Sequence, residues 1–262
     1  MITEKPLNNM ITRKLLLIVG LMVACLSVKG QTPYARLELK ADRFFSQREW
    51  AQAAATYYQM LELRPEVAAT YGKAIVANAV RGDSVAEMEL LVKALNAKIP
   101  FDSVLTRVKS TSFQLGKSNL YGDFLLRAKA ECPWMRRPID GYLLRYYIYR
   151  NDGPNMMAYS RIMLQGDETN TGFLTSLAQG AMLCGDYDEA VTTYQTILAL
   201  DPENYNALLA LGNYYLALEE TEPAEAGTYP GASAQIRARD YLARANALRP
   251  TPYVTALLRS LP

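Results

Sequence analysis

Histidine is absent from all 262 residues, and cysteine occurs only at Cys25, Cys132 and Cys184. These two facts remove most catalytic and metal chemistry. Without an imidazole there is no Ser-His-Asp or Cys-His relay, because such nucleophiles need a base that titrates near neutral pH. The commonest metal ligand is lost with it, and the two scattered cysteines beyond Cys25 cannot complete a structural zinc site. The glycines form neither a phosphate-cradling loop nor a dinucleotide fingerprint. Carboxylates remain. In GDYDEA, residues 185–190, Asp186 and Asp188 stand two apart as in a calcium loop. The twelve-residue spacing and the closing glutamate of such a loop are missing. Glu219, Glu220, Glu222 and Glu225 form an acidic run. It reads as a solvated loop, with a cation or a basic partner as its other use. Nothing places two carboxylates into one pocket. The chain is therefore read as a non-enzyme with no cofactor and no metal.

Charge narrows the partners. The net charge is +2, but the first thirty residues carry Lys5, Arg13, Lys14 and Lys29 against Glu4 alone. The remainder holds 24 basic and 25 acidic residues, a net of −1. No basic stripe of the kind that binds nucleic acid is left. The leader itself has a positive segment at Arg13 and Lys14, then an apolar run at 15–28. That run is of secretory size and too short for a comfortable membrane span. Val28 and Gly30 suit cleavage before Gln31, so residues 1–30 are expected to be a signal peptide of bacterial type. A rival ending is the stretch MVAC, residues 22–25, which resembles a lipobox with Met in place of Leu. It would lipidate Cys25 and tether the protein to the outer membrane. An uncleaved anchor is the third reading. The expected location is periplasmic or secreted.

The elements that must position any site emerge from a 34-residue period. With Pro202 at position 32, Leu174, Leu177, Ala178, Ala181, Gly185, Ala190, Tyr194 and Ile197 fall at 4, 7, 8, 11, 15, 20, 24 and 27. Small residues at 8 and 20 suit the closest crossing of two helices, and Tyr194 fills the wider space beside it. Gly185 supplies a left-handed residue that ends the first helix, and Pro202 ends the second. The same phase places Leu37, Ala41, Phe44, Ala53, Tyr57, Met60 and Pro65 in an earlier unit, and Leu208, Leu211, Gly212 and Tyr215 in a later one. The pattern resembles the tetratricopeptide repeat, with Ala181 departing from its usual aromatic.

That resemblance implies an all-α, right-handed solenoid of about six helix hairpins over residues 31–262. The units are placed near 34–67, 68–101, 102–135, 136–169, 171–204 and 205–252. The last carries an insertion at about 219–232, and a short cap follows at 253–262. The middle units are degenerate. Lys109 stands at position 8, and Tyr121 and Asn155 stand at position 20, so helix pairs with altered angles are expected there. Cys132 and Cys184 lie two units apart. Packed helices are about 8–10 Å from one another, so the two thiols are expected to stay free.

The resemblance also implies a concave groove lined by the first helix of each pair. Positions 2, 5, 9, 12 and 13 give a candidate partner-binding set of Phe45, Phe113, Gln114, Arg137, Tyr147, Gln179, Asn206 and Asn213. Val76, Asp140 and Leu144 fall at the same positions. Glu38 and Asp42 stand where a clamp for a terminal carboxylate needs Lys and Asn, and they would repel it. The rings at 45, 113 and 147 read equally as core residues of distorted units. The function expected is an exported scaffold or adaptor of the cell envelope that grips a protein or peptide in this groove. The alternatives are a nutrient- or carbohydrate-binding accessory protein and an envelope-assembly lipoprotein. The thin C-terminal cap suggests a homodimer through that end, unless the tail folds over it.

Overall fold

In the computed structural model, residues 32–221 and 230–261 are described. The leader with Cys25 and the centre of the acidic insertion lie outside the described residues. Thirteen α-helices occur among the described residues, and no strand. The chain separates into two compact halves, one ending at Glu131 and one beginning at Cys132.

The first half holds three hairpins. They are α1 (Pro33–Ser46) with α2 (Trp50–Leu63), α3 (Ala68–Arg81) with α4 (Ser84–Asn96), and α5 (Phe101–Gln114) with α6 (Ser118–Glu131). Position by position, the register places the core. Ala41, Ala53, Tyr57, Met60, Tyr71, Leu91, Ala94, Leu105, Val108, Leu125 and Ala128 are all buried. Links between hairpins accompany the packing. Lys73 donates to Asp42 at 2.7 Å and Lys93 reaches Glu62 at 2.6 Å, while within the first hairpin Tyr57 donates to the Asp42 carboxylate at 3.1 Å. Burial and the neighbouring Asp42 push the Tyr57 phenol upward.

Gly72 sets the approach of α3 to α5. A Cβ there would lie 2.5 Å from the Arg107 Cβ and 2.9 Å from its carbonyl carbon. Only a residue without a side chain lets the two first helices come this close. Tyr121, at the position meant for a small residue, is buried and meets Phe113 edge-on at 6.5 Å, and α5 and α6 pack sparsely. Lys109 does not sit in a crossing at all. It is exposed, with its ammonium 5.6 Å from the Phe113 ring.

The second half opens with a short 3-10 turn at Pro133–Met135 and continues with three more hairpins. They are α7 (Arg136–Arg150) with α8 (Gly153–Leu164), α9 (Thr171–Cys184) with α10 (Tyr187–Leu200), and α11 (Tyr205–Thr221) with α12 (Pro230–Leu248). The tail forms α13 (Pro252–Ser260). Leu174, Ala178, Ala190, Tyr194, Ile197, Leu208, Leu211, Tyr215, Ala238, Leu242 and Ala245 are buried, as their positions require. The phase is poorer in unit four. Ile162, at position 27 of the 34-residue phase, is 37% exposed, and Tyr142 and Tyr146, at positions 7 and 11, are only half-buried. The contact that replaces them is between backbones: a Cβ on Gly153 would meet the Gly180 oxygen at 2.9 Å, so α8 and α9 touch almost main chain to main chain.

One turn recurs. A left-handed residue ends the first helix and an aspartate caps the second. Gly82, Asn151 and Gly185 have φ of 75°, 50° and 75°. Asp83, Asp152 and Asp186 then accept from the amides of Ala86, Asn155 and Glu189 at 3.1, 3.1 and 3.2 Å. Each aspartate amide also closes a bond to a carbonyl five residues back, which satisfies a helix end. This accounts for the GDYDEA segment as a capping turn.

The insertion is more helical at its edges than a loop reading allows, since α11 runs to Thr221 and α12 begins at Pro230. The tail folds back over the last pair. Val254 is fully buried and Leu261 is 7% exposed, within a cluster that contains Leu211, Tyr215 and Leu242. Arg239 donates to the Leu261 carbonyl at 2.7 Å and ties the end down. The apolar face that suggested a dimer is thus covered by the chain itself. Cys132 is buried, Cys184 is exposed, and neither is in a disulfide.

Candidate functional site

Two surfaces qualify. The first is the face of the first helices. Of the eight residues expected there, Gln114, Arg137, Gln179 and Asn206 are exposed, and none donates or accepts a side-chain hydrogen bond among the described residues. Arg137 lies flat against Gly166, where a Cβ would collide with its guanidinium. Asn213 is half-buried and accepts from the Tyr253 hydroxyl at 3.2 Å, so α13 occupies part of its surface.

The rings belong largely to packing. Phe45 meets Trp50 at 5.1 Å and Tyr57 at 6.1 Å between centroids, both edge-on. Tyr147 stacks on Tyr159 at 5.3 Å with 28° between planes, and it meets Tyr146 at 5.3 Å. Phe113 holds Tyr121 and Lys109. Val76, Asp140 and Leu144, placed on the groove by register, are buried instead. These three positions therefore belong to the interior and offer nothing to a partner.

The second surface was not anticipated. A cleft of about 650 Å³ opens between α4 and α6, the second helices of two adjacent hairpins. One wall is a stripe along α4 made by Val85, Met88 and Val92, with Val85 68% and Val92 44% exposed. Ala130 and Arg127 form the opposite wall, with Leu126 exposed beside them. The cause is geometric. Gly72 draws α3 against α5, whereas α4 and α6 touch over a short stretch only. Hairpins pinched on one side must splay on the other.

A buried ion pair lies behind the cleft. Glu87 is 1% exposed, and its carboxylate accepts from an Arg127 Nη at 2.7 Å. Burial pushes the Glu87 carboxyl above its usual range, and Arg127 opposes that rise. The Arg127 Nε is itself buried and meets no acceptor. The sequence did hold a signal for this site. Val85, Met88 and Val92 recur at helical spacing on the side of α4 away from Leu91 and Ala94, so that helix is apolar on two faces.

Tyrosines also gather in the second half. Tyr215 and Tyr241 stack at 5.9 Å with 6° between planes, Arg237 lies 5.4 Å from the first ring and Arg244 5.9 Å from the second. Each ring is engaged by its neighbour and an arginine, so neither offers a ready platform for a sugar. Among the described residues no group of three His, Cys, Asp or Glu converges as a cation site. No helix among them is long and apolar enough to cross a membrane.

The family model described as TPR repeat matches residues 182–218. That span runs from the last turn of α9 through α10 into α11, and the chain carries a tetratricopeptide repeat there. No curated protein matches the chain. Among solved structures, the C-terminal part of a TPR repeat-containing protein from Cytophaga hutchinsonii is 15% identical, covering 80% of this chain and 78% of that one, with a TM-score of 0.46. The pilF protein of Pseudomonas aeruginosa is 14% identical, covering 87% of this chain and 96% of that one, at 0.45. PilW, described as a widely conserved type IV pilus biogenesis factor, is 14% identical, covering 87% of this chain and 100% of that one, at 0.47.

Proposed function

We propose that the chain is an exported, non-enzymatic scaffold of the cell envelope that holds a protein or peptide partner on the face of its first helices. One observation carries this reading. Arg137, Gln179 and Asn206 stand exposed on α7, α9 and α11, three successive first helices of one half, with no side-chain hydrogen bond among the described residues. Polar side chains repeated on a preformed helical frame offer directional contacts to a partner without a large rearrangement. The rings already packed inside the hairpins make the frame rigid. Export rests on the leader: a positive segment, an apolar run and small residues before Gln31.

Photo-crosslinking in intact bacterial cells tests the reading. A photoreactive residue at Gln179 or Asn206 should capture one discrete protein, and Arg137→Glu should weaken that capture. Adducts formed only from positions on second helices would overturn it. Mass spectrometry of the mature protein checks export separately. A chain starting at Gln31 agrees with secretion, and a diacylated Cys25 would shift the assignment to a lipoprotein.

A further inference from the structure

We propose that the cleft between α4 and α6 is a second docking surface, and that its occupant is an amphipathic helix of a partner protein whose aliphatic stripe is flanked by lysine or arginine. This surface lies on second helices and does not rest on the first-helix reading.

The shape argues for a helix. Val85, Met88 and Val92 are spaced by three and four residues, so they form one continuous apolar ridge. The ridge spans about 10 Å at 1.5 Å per residue, two turns of an opposing helix. Exposed aliphatic residues line both sides, with Val85 and Val92 on α4 and Ala130 on α6. A groove of this kind takes the apolar face of a helix at positions i, i+3 or i+4, and i+7.

The charges argue for a basic flank. Four ionisable side chains line the cleft: Glu89, Lys93, Arg127 and Glu131. Both cations are already neutralised within the fold. Lys93 reaches back to Glu62 at 2.6 Å, and Arg127 is held by the buried Glu87 at 2.7 Å. Lys93 lies one helical turn from Glu89 and bridges to Glu62 rather than to it. Among the described residues no ion pair engages Glu89 or Glu131, so the charge left to a visitor is negative at the rim of an aliphatic floor. A flank of lysine or arginine complements it, whereas an acidic flank or a bare hydrocarbon does not.

The test uses the full chain and two synthetic peptides of about four helical turns, identical in their leucine stripe and carrying either lysines or glutamates beside it. Binding is read by fluorescence anisotropy. The lysine peptide should bind saturably, and the glutamate peptide about tenfold more weakly. Val85→Asp with Val92→Asp should weaken the lysine peptide by about tenfold or more while circular dichroism stays unchanged, because both side chains face solvent. Glu89→Lys with Glu131→Lys should invert the preference between the peptides, and Arg137→Glu should leave both unaffected. No saturable binding, equal binding of the two peptides, or binding that survives the two aspartates would overturn the proposal. So would self-association of the free protein that the same aspartates abolish, since the occupant would then be a second copy.

Discussion

Arg127→Met is the sharpest probe of the structure behind the cleft. It keeps most of the aliphatic stem and removes the only side chain that donates to the buried Glu87 carboxylate among the described residues. Removing one member of a buried ion pair costs about 3–5 kcal/mol, because the other charge is left without compensation. Here the arginine side chain is 33% exposed while the glutamate is 1% exposed, so water reaches one side of the pair and the expected loss falls to about 2 kcal/mol. Amide hydrogen exchange across α4 and α6 reads it locally, which suits a stack of hairpins that can open one at a time. A loss of 2 kcal/mol corresponds to about 30-fold faster exchange. The pH dependence has a definite sign. Glu87 already titrates above its ordinary value of 4.5 because it is buried, and Arg127 restrains that rise. Without Arg127 the native value climbs further. Between the ordinary value and the raised one, the folded protein then binds more protons than the unfolded chain, so this group's penalty grows as pH rises and shrinks as pH falls. The deficit of Arg127→Met should therefore be largest at neutral pH and narrow under mild acid. Glu87→Gln in the same background should restore most of the protection at neutral pH. Wild-type exchange rates in Arg127→Met at neutral pH, or no rescue by Glu87→Gln, would refute the assignment.

Three further outcomes follow from single positions. Gly72→Ala forces α3 and α5 apart and should lower stability by about 1–3 kcal/mol in thermal denaturation. It should also weaken the lysine peptide, although no cleft residue is changed. Gly185→Ala meets no atom within 4 Å, so its expected loss of about 1 kcal/mol measures backbone strain at φ +75° alone, read from the shift in urea midpoint. Val254→Asp places a charge at a fully buried site of the C-terminal cluster and should detach α13 at a loss of about 3 kcal/mol. Sedimentation velocity should then show more self-association than in the wild type, because the face now covered by the tail becomes apolar surface.

Much of the fold was legible in the sequence, and the reason is local. In the stretch CGDYDEAVTTYQTILALDP, residues 184–202, each choice agrees with the next: Gly185 ends a helix, Asp186 starts another, and Ala190 and Tyr194 fit one crossing. Such consistency over 34 residues fixes a hairpin without knowledge of its neighbours. The same Gly-Asp pair recurs at Gly82 and Asp83. Unit four was harder. Asn151 takes the left-handed turn in place of glycine, and Gly153 against Gly180 takes the close approach away from position 20. A register built on positions 8 and 20 has no slot for that pair. Val76, Asp140 and Leu144 are buried where the register expects groove positions, because a small rotation of a helix exchanges its half-buried and buried positions.

The cleft escaped because it is a property of spacing between hairpins, not of any one of them. The 34-residue phase says which helix is first and which is second, and it says which side chains each hairpin keeps for itself. It carries no information on how far α4 stands from α6. That distance follows from Gly72, a position outside the small sites of the pattern, whose missing side chain lets α3 and α5 meet at backbone range. Once the first helices are this close, the second helices cannot also be, and the outer face of α4 is left with aliphatic residues that no neighbouring hairpin covers. Val85 and Val92 add little to the fold itself, since exposed valine on a helix contributes neither strong propensity nor burial. The proposed partner helix would bury them beside Glu89 and Glu131, which no ion pair engages among the described residues. That is why the peptide assay on Gly72→Ala discriminates: it disturbs the spacing and leaves the chemistry of the cleft intact.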